Sequence, residues 1–347
     1  MEVGFLYIKS VGISDELFAR VIKEGVGFFD IPTAENRLAA EVTAGATDYR
    51  EQIDVSTEHL LPSPGSPLHH NLLAPNQWPS TTVLSNFRPT FTEYMRLMGA
   101  ISLRFTSLIA EAIELPADAF DKYIGGANQQ HKLKIVKYPD AGELGLEAGQ
   151  RGQGVGQHKD SMLTSYLLQA SHHRGLQVQN YTGDWIDCPP IDGTLVVAIG
   201  QGLEALTQGV CVATTHRVLS PLAGEGPRFS IPFFQGVRGD TEFEELESVG
   251  VGKVPDRVKE ERRRVPEAHG KRLNDVEFTF RAGGAAKTLG EATLRNRVKS
   301  HPDVGERYYP DILAQIREEQ RLAAKAKAPS ASTSTTPQAM PTAVESQ

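Results

Sequence analysis

His158 and Asp160 stand two residues apart in GQHKDSML. On or beside a strand, alternate residues share a face, so this spacing can aim an imidazole and a carboxylate at one point. A third donor from a neighbouring strand would complete a metal site, and ATTHRVL offers His216. Two histidines and one carboxylate on one face of a metal form the facial triad used by non-haem iron(II) oxygenases. Such sets also hold zinc, so the three residues alone leave a zinc hydrolase open. PRFSIPFF bears on that choice. Arg228 and Ser230 are again two apart and expected on one strand face, where a guanidinium and a hydroxyl suit a carboxylate anchored deep in a pocket. An oxygenase that takes electrons from a dicarboxylic keto acid needs that pair, and a zinc hydrolase has no evident use for it.

Positioning these residues requires strands. From about Lys132 to Gly236 the chain runs in short β-rich segments separated by glycine and proline: KLKIVKY, MLTSYLLQ, GLQVQN, TLVVAIG, VATTHRVL and RFSIPFF. That texture predicts an antiparallel sandwich or barrel. Leu206 to Gly209 is expected to be a short turn. Upstream, GFLYIKSVGI reads as a strand, with Ser14 capping the helix that follows. Tyr94, Met98, Ile101, Phe105, Leu108 and Ala112 recur at steps of four and three, the stripe of a long amphipathic scaffold helix. Downstream, DRVKEERRRVPEAHGKR is a mixed-charge cluster expected to be a solvated face or an inserted loop, and YPDILAQIREEQRLAAKAKA a C-terminal helix. The last residues, PSASTSTTPQAMPTAVESQ, have almost nothing to bury and are expected to be disordered.

The chain's 347 residues can bury a large core in one or two domains, and its 39% hydrophobic and 23% charged fractions are those of a soluble globular protein. A net charge of -7 gives no reason to expect nucleic acid. Two cysteines, Cys188 and Cys211, suit a reducing compartment. No apolar run approaches membrane-spanning length and no secretory leader is evident. These features predict a cytoplasmic monomer without nucleic-acid or membrane partners. Among other chemistry-bearing residues, the pairs His69-His70 and His172-His173 are expected at the surface, and His59, His131, His269 and His301 show no partner. Trp78 reads as a packing residue, Phe234 as pocket lining or core, and Lys159 as facing away from the metal. Cys211, on the strand leading to His216, reads as a small buried residue.

The segments VKYP, HKD, MLTSYLLQ, GLQVQNYTGDWIDCPP, GTLVVAIGQGLEALTQG, ATTHRVLSP and RFSIPFF, in this order, resemble the Fe(II)/2-oxoglutarate-dependent dioxygenases of the isopenicillin N synthase-like superfamily. The resemblance implies a mainly β fold with flanking helices, a double-stranded β-helix or distorted jelly roll. It implies Fe(II) on His158, Asp160 and His216, and the distal carboxylate of 2-oxoglutarate on Arg228 and Ser230, with Tyr138 reaching the same group. The keto-acid end would chelate the iron beside a position for O2. Succinate, CO2 and an oxidised small molecule would result, most simply hydroxylated and belonging to specialised metabolism. Where many relatives have asparagine and aspartate, this chain has Val136 and Gln201.

The implied organisation is an N-terminal helical region (1–125) lacking the strand and helix with which relatives begin, a dioxygenase core (126–240), a charged loop and helical extension (241–328) and a disordered tail (329–347). Two alternatives remain at this point. One is an Fe(II) oxidase or oxidative cyclase of the isopenicillin N synthase type that needs no 2-oxoglutarate; the other is a non-catalytic binding protein.

Overall fold

A computed structural model describes residues 3–31, 41–43, 46–125, 129–244, 254–269 and 286–327. In chain order its elements are β1 (Phe5–Lys9), α1 (Asp15–Phe29), β2 (Glu41–Thr43), β3 (Ala46–Asp48), β4 (Glu51–Ser56), a 3-10 turn (Leu68–Leu72), α2 (Phe87–Ala112), α3 (Asp121–Ile124), β5 (Lys132–Tyr138), β6 (Gln153–His158), β7 (Thr164–Gln169) and β8 (Leu176–Gln179). Then come β9 (Trp185–Asp187), β10 (Thr194–Ile199), α4 (Gln201–Leu206), β11 (His216–Leu219), β12 (Arg228–Gln235), α5 (Asp256–His269), α6 (Leu289–Ser300), α7 (Pro302–Tyr308) and α8 (Pro310–Lys327). The chain divides into two compact units, Met1–Leu294 and Arg295–Gln347.

The first unit is a sandwich of two antiparallel sheets. The larger has the order β1-β10-β7-β12-β5-β4 and the smaller β6-β11-β8-β9; β2 and β3 pair separately. Period-two alternation sorts the larger sheet's side chains. Val136, Leu167 and Val196 face inward and meet Val155, Val178 and Val218 of the smaller sheet. Leu133, Ile135, Leu168, Val197, Ile231 and Phe233 face outward, under Leu17 and Val21 of α1 and Phe87, Phe91, Tyr94 and Met98 of α2. Covered on both faces, β7 and β10 read as near-continuous apolar runs. The crossovers and two-sheet layering are those of the double-stranded β-helix.

Ser14 caps α1 as the sequence predicts, its hydroxyl accepting from the Leu17 amide at 3.3 Å. The α2 stripe holds at Tyr94 and Met98 but not at its end, where Leu108 is 43% exposed and Ile109 takes the buried position. The helix buries a face rotated from the expected one, because Ser102 and Thr106 turn inward with their hydroxyls donating to the Gly99 and Ser102 carbonyls. β4, β6 and β9 are strands the sequence does not announce. GQGVGQ has too little β-branched side chain to signal β6, which exists because β11 pairs with it. Cys211 is fully buried, as expected, but precedes β11 rather than lying on it. QGLEAL forms α4, with the turn after it carrying Gln208 and Gly209 at positive φ. The charged DRVKEERRRVPEAH segment is a helix, α5, not a loop, with Glu260 bridging Arg263 and Arg264 along its face. The expected C-terminal helix is α8; 329–347 lie outside the described residues. In the second unit, Arg295 of α6 holds Glu319 of α8 through paired hydrogen bonds of 2.8 and 2.7 Å. No described helix is long and apolar enough to cross a membrane.

Two histidine expectations change. His69 is buried rather than at the surface, its ring 4.7 Å from that of His70 within the 3-10 turn. His131 is a core residue, 5.2 Å from the Phe233 ring, and its Nδ1 accepts from the Gly236 amide. Burial pushes its pKa down to about 4, so it folds neutral. A folded-state pKa below the unfolded value gives stability that is present above about pH 6.5 and lost as pH falls toward 4. The loss of stability between pH 7 and pH 5, measured by urea unfolding, should therefore be smaller in His131→Gln than in the unaltered chain by about 2 kcal/mol.

Candidate active site

The antiparallel pairing of β6 with β11 sets His158 directly opposite His216. Their rings lie 4.2 Å apart. Each Nδ1 faces a backbone carbonyl on its own chain segment, His158 that of Gly156 at 2.8 Å and His216 that of Thr214 at 3.1 Å. A carbonyl only accepts, so each Nδ1 carries the proton and each Nε2 keeps its lone pair. Both Nε2 atoms are 3.7 Å from Asp160 Oδ1. The donor atoms of the three residues lie within 4.8 Å of one another, close enough for one ion with metal–ligand distances of roughly 2.0–2.2 Å.

Asp160 arrives differently from the sequence expectation. β6 ends at His158, so the aspartate is not on the strand and the pleat does not aim it. The turn is held instead by the Asp160 carbonyl, which accepts from the Gln201 amide at 2.7 Å. Gly200 permits that approach, because a Cβ there would fall 1.9 Å from the Met162 carbonyl oxygen. The second carboxylate oxygen accepts from Ser165 Oγ at 2.5 Å, a residue of β7 across the sandwich. Lys159 points away, as expected, with its ammonium 3.7 Å from Glu204 of α4. Burial, reinforced by neighbouring His216, pushes the His158 pKa down to about 4, which keeps the ring neutral and able to ligate. His158 is the accessible member, its side chain 29% exposed while Asp160 and His216 are buried.

The second cluster lies on the inner face of the larger sheet. Across β12, Arg228 is opposite Tyr138 of β5, and Ser230 is opposite Val136 of β5 and Gln169 of β7. Arg228 is 1% exposed, with its guanidinium carbon 5.2 Å from the Tyr138 ring centroid. Its Nη2 donates to Gln169 Oε1 at 3.2 Å, while among the described residues Nε and Nη1 have no hydrogen-bond partner. Unpaired donors on a buried cation cost free energy, on the order of 1–3 kcal/mol each, until an anion accepts from them. Tyr138 is raised by burial, against the pull of Arg228. Its ring packs onto β6 where a Cβ at Gly154 would lie 2.7 Å away, so a glycine lets the two sheets close around the tyrosine. Val136 offers no polar atom here, and Gln201 is buried at the start of α4. Phe234 is half-buried, Phe233 being the core residue of that pair, and Trp78 packs edge-on against Phe87.

Ser165 and Gln169 escape a reading based on motifs. Their signal is two polar residues four apart inside the apolar run TSYLLQ, hence on the same face of one strand.

The fold is a double-stranded β-helix, and its first cluster groups three donors that could hold one metal ion. A family model described as the 2OG-Fe(II) oxygenase superfamily matches residues 131–237. The chain is 58% identical to the 2-oxoglutarate-dependent dioxygenase frbJ of Dothideomycetidae sp. (strain 11243), over 92% of this chain and 88% of that protein. It is 33% identical to a 2-oxoglutarate-dependent dioxygenase of Gibberella zeae, over 92% and 87% of the two chains. Among solved structures, that of a full-length Neurospora crassa protein in complex with alpha-KG and 5-formyluracil is similar at 26% identity and a TM-score of 0.56, covering 69% of this chain and 76% of that one. The chain belongs to the 2OG-Fe(II) oxygenase superfamily. It is a dioxygenase that works with Fe(II), 2-oxoglutarate and O2 to oxidise a small organic molecule.

Replacing Ser165 by alanine removes the hydrogen bond that fixes Asp160 Oδ2. Fe(II) affinity, measured by anaerobic equilibrium dialysis, should fall by about tenfold to a hundredfold, with the fold retained by circular dichroism.

Proposed function

We propose that His158, Asp160 and His216 bind the Fe(II), and that Arg228, Ser230 and Tyr138 take the distal carboxylate of 2-oxoglutarate. The reaction is hydroxylation of an unactivated C–H bond in a small molecule of specialised metabolism, with succinate and CO2 as coproducts. The observation that carries the assignment is the pair of donors on buried Arg228 that have no partner among the described residues, on the inner face of the sheet that also supplies Ser165 to Asp160. Bound iron with the keto acid supplies the oxidising chemistry. The chain's own part is to hold two neutral imidazoles and one carboxylate in register, to neutralise the far end of the keto acid in a dry pocket, and to keep the rest of the interior apolar.

The 2-oxoglutarate-dependent relatives favour this reading over a cosubstrate-independent oxidase. It takes 126–240 as the catalytic core, 1–125 as a helical region preceding it, 241–328 as an extension and 329–347 as a tail. The enzyme acts as a cytoplasmic monomer on a small molecule, without nucleic-acid or membrane partners. The acidic net charge and two buried free thiols support that setting.

Anaerobic addition of 2-oxoglutarate to the Fe(II)-loaded chain should produce a visible metal-to-ligand charge-transfer band, and admission of air should yield succinate. His158→Ala, Asp160→Ala and His216→Ala should each abolish iron binding; full activity in His216→Ala overturns the triad. Arg228→Ala should keep iron but raise the 2-oxoglutarate requirement by about 30-fold to 1,000-fold, the equivalent of roughly 2–4 kcal/mol for a lost buried charge partner.

A further inference from the structure

Gln169 is placed to do more than fill a strand position. Its Nε2 donates to the Cys188 carbonyl at 3.2 Å, and its Oε1 accepts from Arg228 Nη2 at 3.2 Å. One partner only accepts and the other only donates, so the amide has a single satisfactory orientation, with oxygen toward the guanidinium. Gln169 also sits opposite Ser230 in the β7/β12 ladder, on the same face as both polar residues of that strand. Its amide oxygen accepts from Arg228 Nη2, while Nε and Nη1 have no acceptor among the described residues.

We infer that Gln169 is a positioning residue for the keto acid. It fixes the Arg228 rotamer through a neutral acceptor, and so presents the remaining guanidinium N–H groups, at full positive charge, to the distal carboxylate. The neutrality matters. A carboxylate in its place would hold the arginine equally well but would cancel the charge that the cosubstrate needs. An apolar residue would leave the charge and release the geometry. This inference rests on the proposed role of Arg228 and adds the residue that sets its affinity and its preference for a dicarboxylic keto acid.

The test uses the full chain with Fe(II), titrated anaerobically with 2-oxoglutarate and with 2-oxopentanoate, which lacks the distal carboxylate. Gln169→Glu should raise half-saturating 2-oxoglutarate by about tenfold or more and leave 2-oxopentanoate binding and Fe(II) affinity unchanged, so that discrimination between the two acids shrinks. Gln169→Met, close in volume and without an acceptor, should raise it by about threefold to tenfold, with kcat at saturation within about twofold of wild type; it carries the test should the glutamate variant not fold. A merely structural role would lower thermal stability and kcat and leave the ratio between the two acids unmoved, and that result overturns the inference. If the wild-type chain gives no charge-transfer band, the proposed function itself falls. A normal wild-type band with unchanged ratios in both variants removes only the role of Gln169.

Discussion

One pairing register, β6 against β11, holds the metal site together. Neither histidine is fixed by a network of its own; each has one backbone acceptor and a place on a strand. Their convergence comes from His158 and His216 being direct partners across the ladder. A slip of one residue would turn one ring to the other face of the sheet. The valines Val155, Val178 and Val218, packed against the larger sheet, oppose such a slip because it would bring polar residues into the sandwich. The apolar core thus acts as the alignment device for the polar site.

β7 ties the two ends of the site to each other. Ser165 reaches the aspartate and Gln169 reaches the arginine, and four residues of extended strand separate them by about 13 Å. A strand is stiff along its length, so the spacing between the Asp160 and Arg228 clusters is set by backbone geometry more than by any loop. The buried arginine is the energetic counterpart. Buried with two nitrogens that lack an acceptor among the described residues, it is costly in the free protein and would be relieved by an anion.

Much of this was legible in the sequence because it depends on short spacings. HxD, the later histidine and RxS supply the groups of the proposed metal and cosubstrate sites, and β5, β10 and β12 are legible as short β-rich runs between turn residues. What was not legible depends on partners far along the chain. β6 is too rich in glycine to announce itself, and its Gly154 is there for Tyr138 rather than for strand propensity. The pleat does not aim Asp160, because tertiary hydrogen bonds to α4 and β7 hold it past the end of the strand. His69 and His131 are buried by contacts from distant segments, which no local pattern reports. Along α2, Ser102 and Thr106 face the core with their hydroxyls satisfied by the helix's own carbonyls, so the buried face is not the one the apolar residues trace.

The two cysteines have a bearing on how long such an enzyme lasts. Activating O2 beside an iron exposes a protein to stray oxidants whenever turnover miscarries, and thiolates are the side chains most readily consumed. Here burial raises Cys188 to about 11 and Cys211 to about 12. At neutral pH both thiols are held in the protonated form. The chain keeps its sulfur in the unreactive form and away from solvent. Among the candidate metal ligands it is His158, its side chain 29% exposed, that lies open to solvent, and neither thiol does.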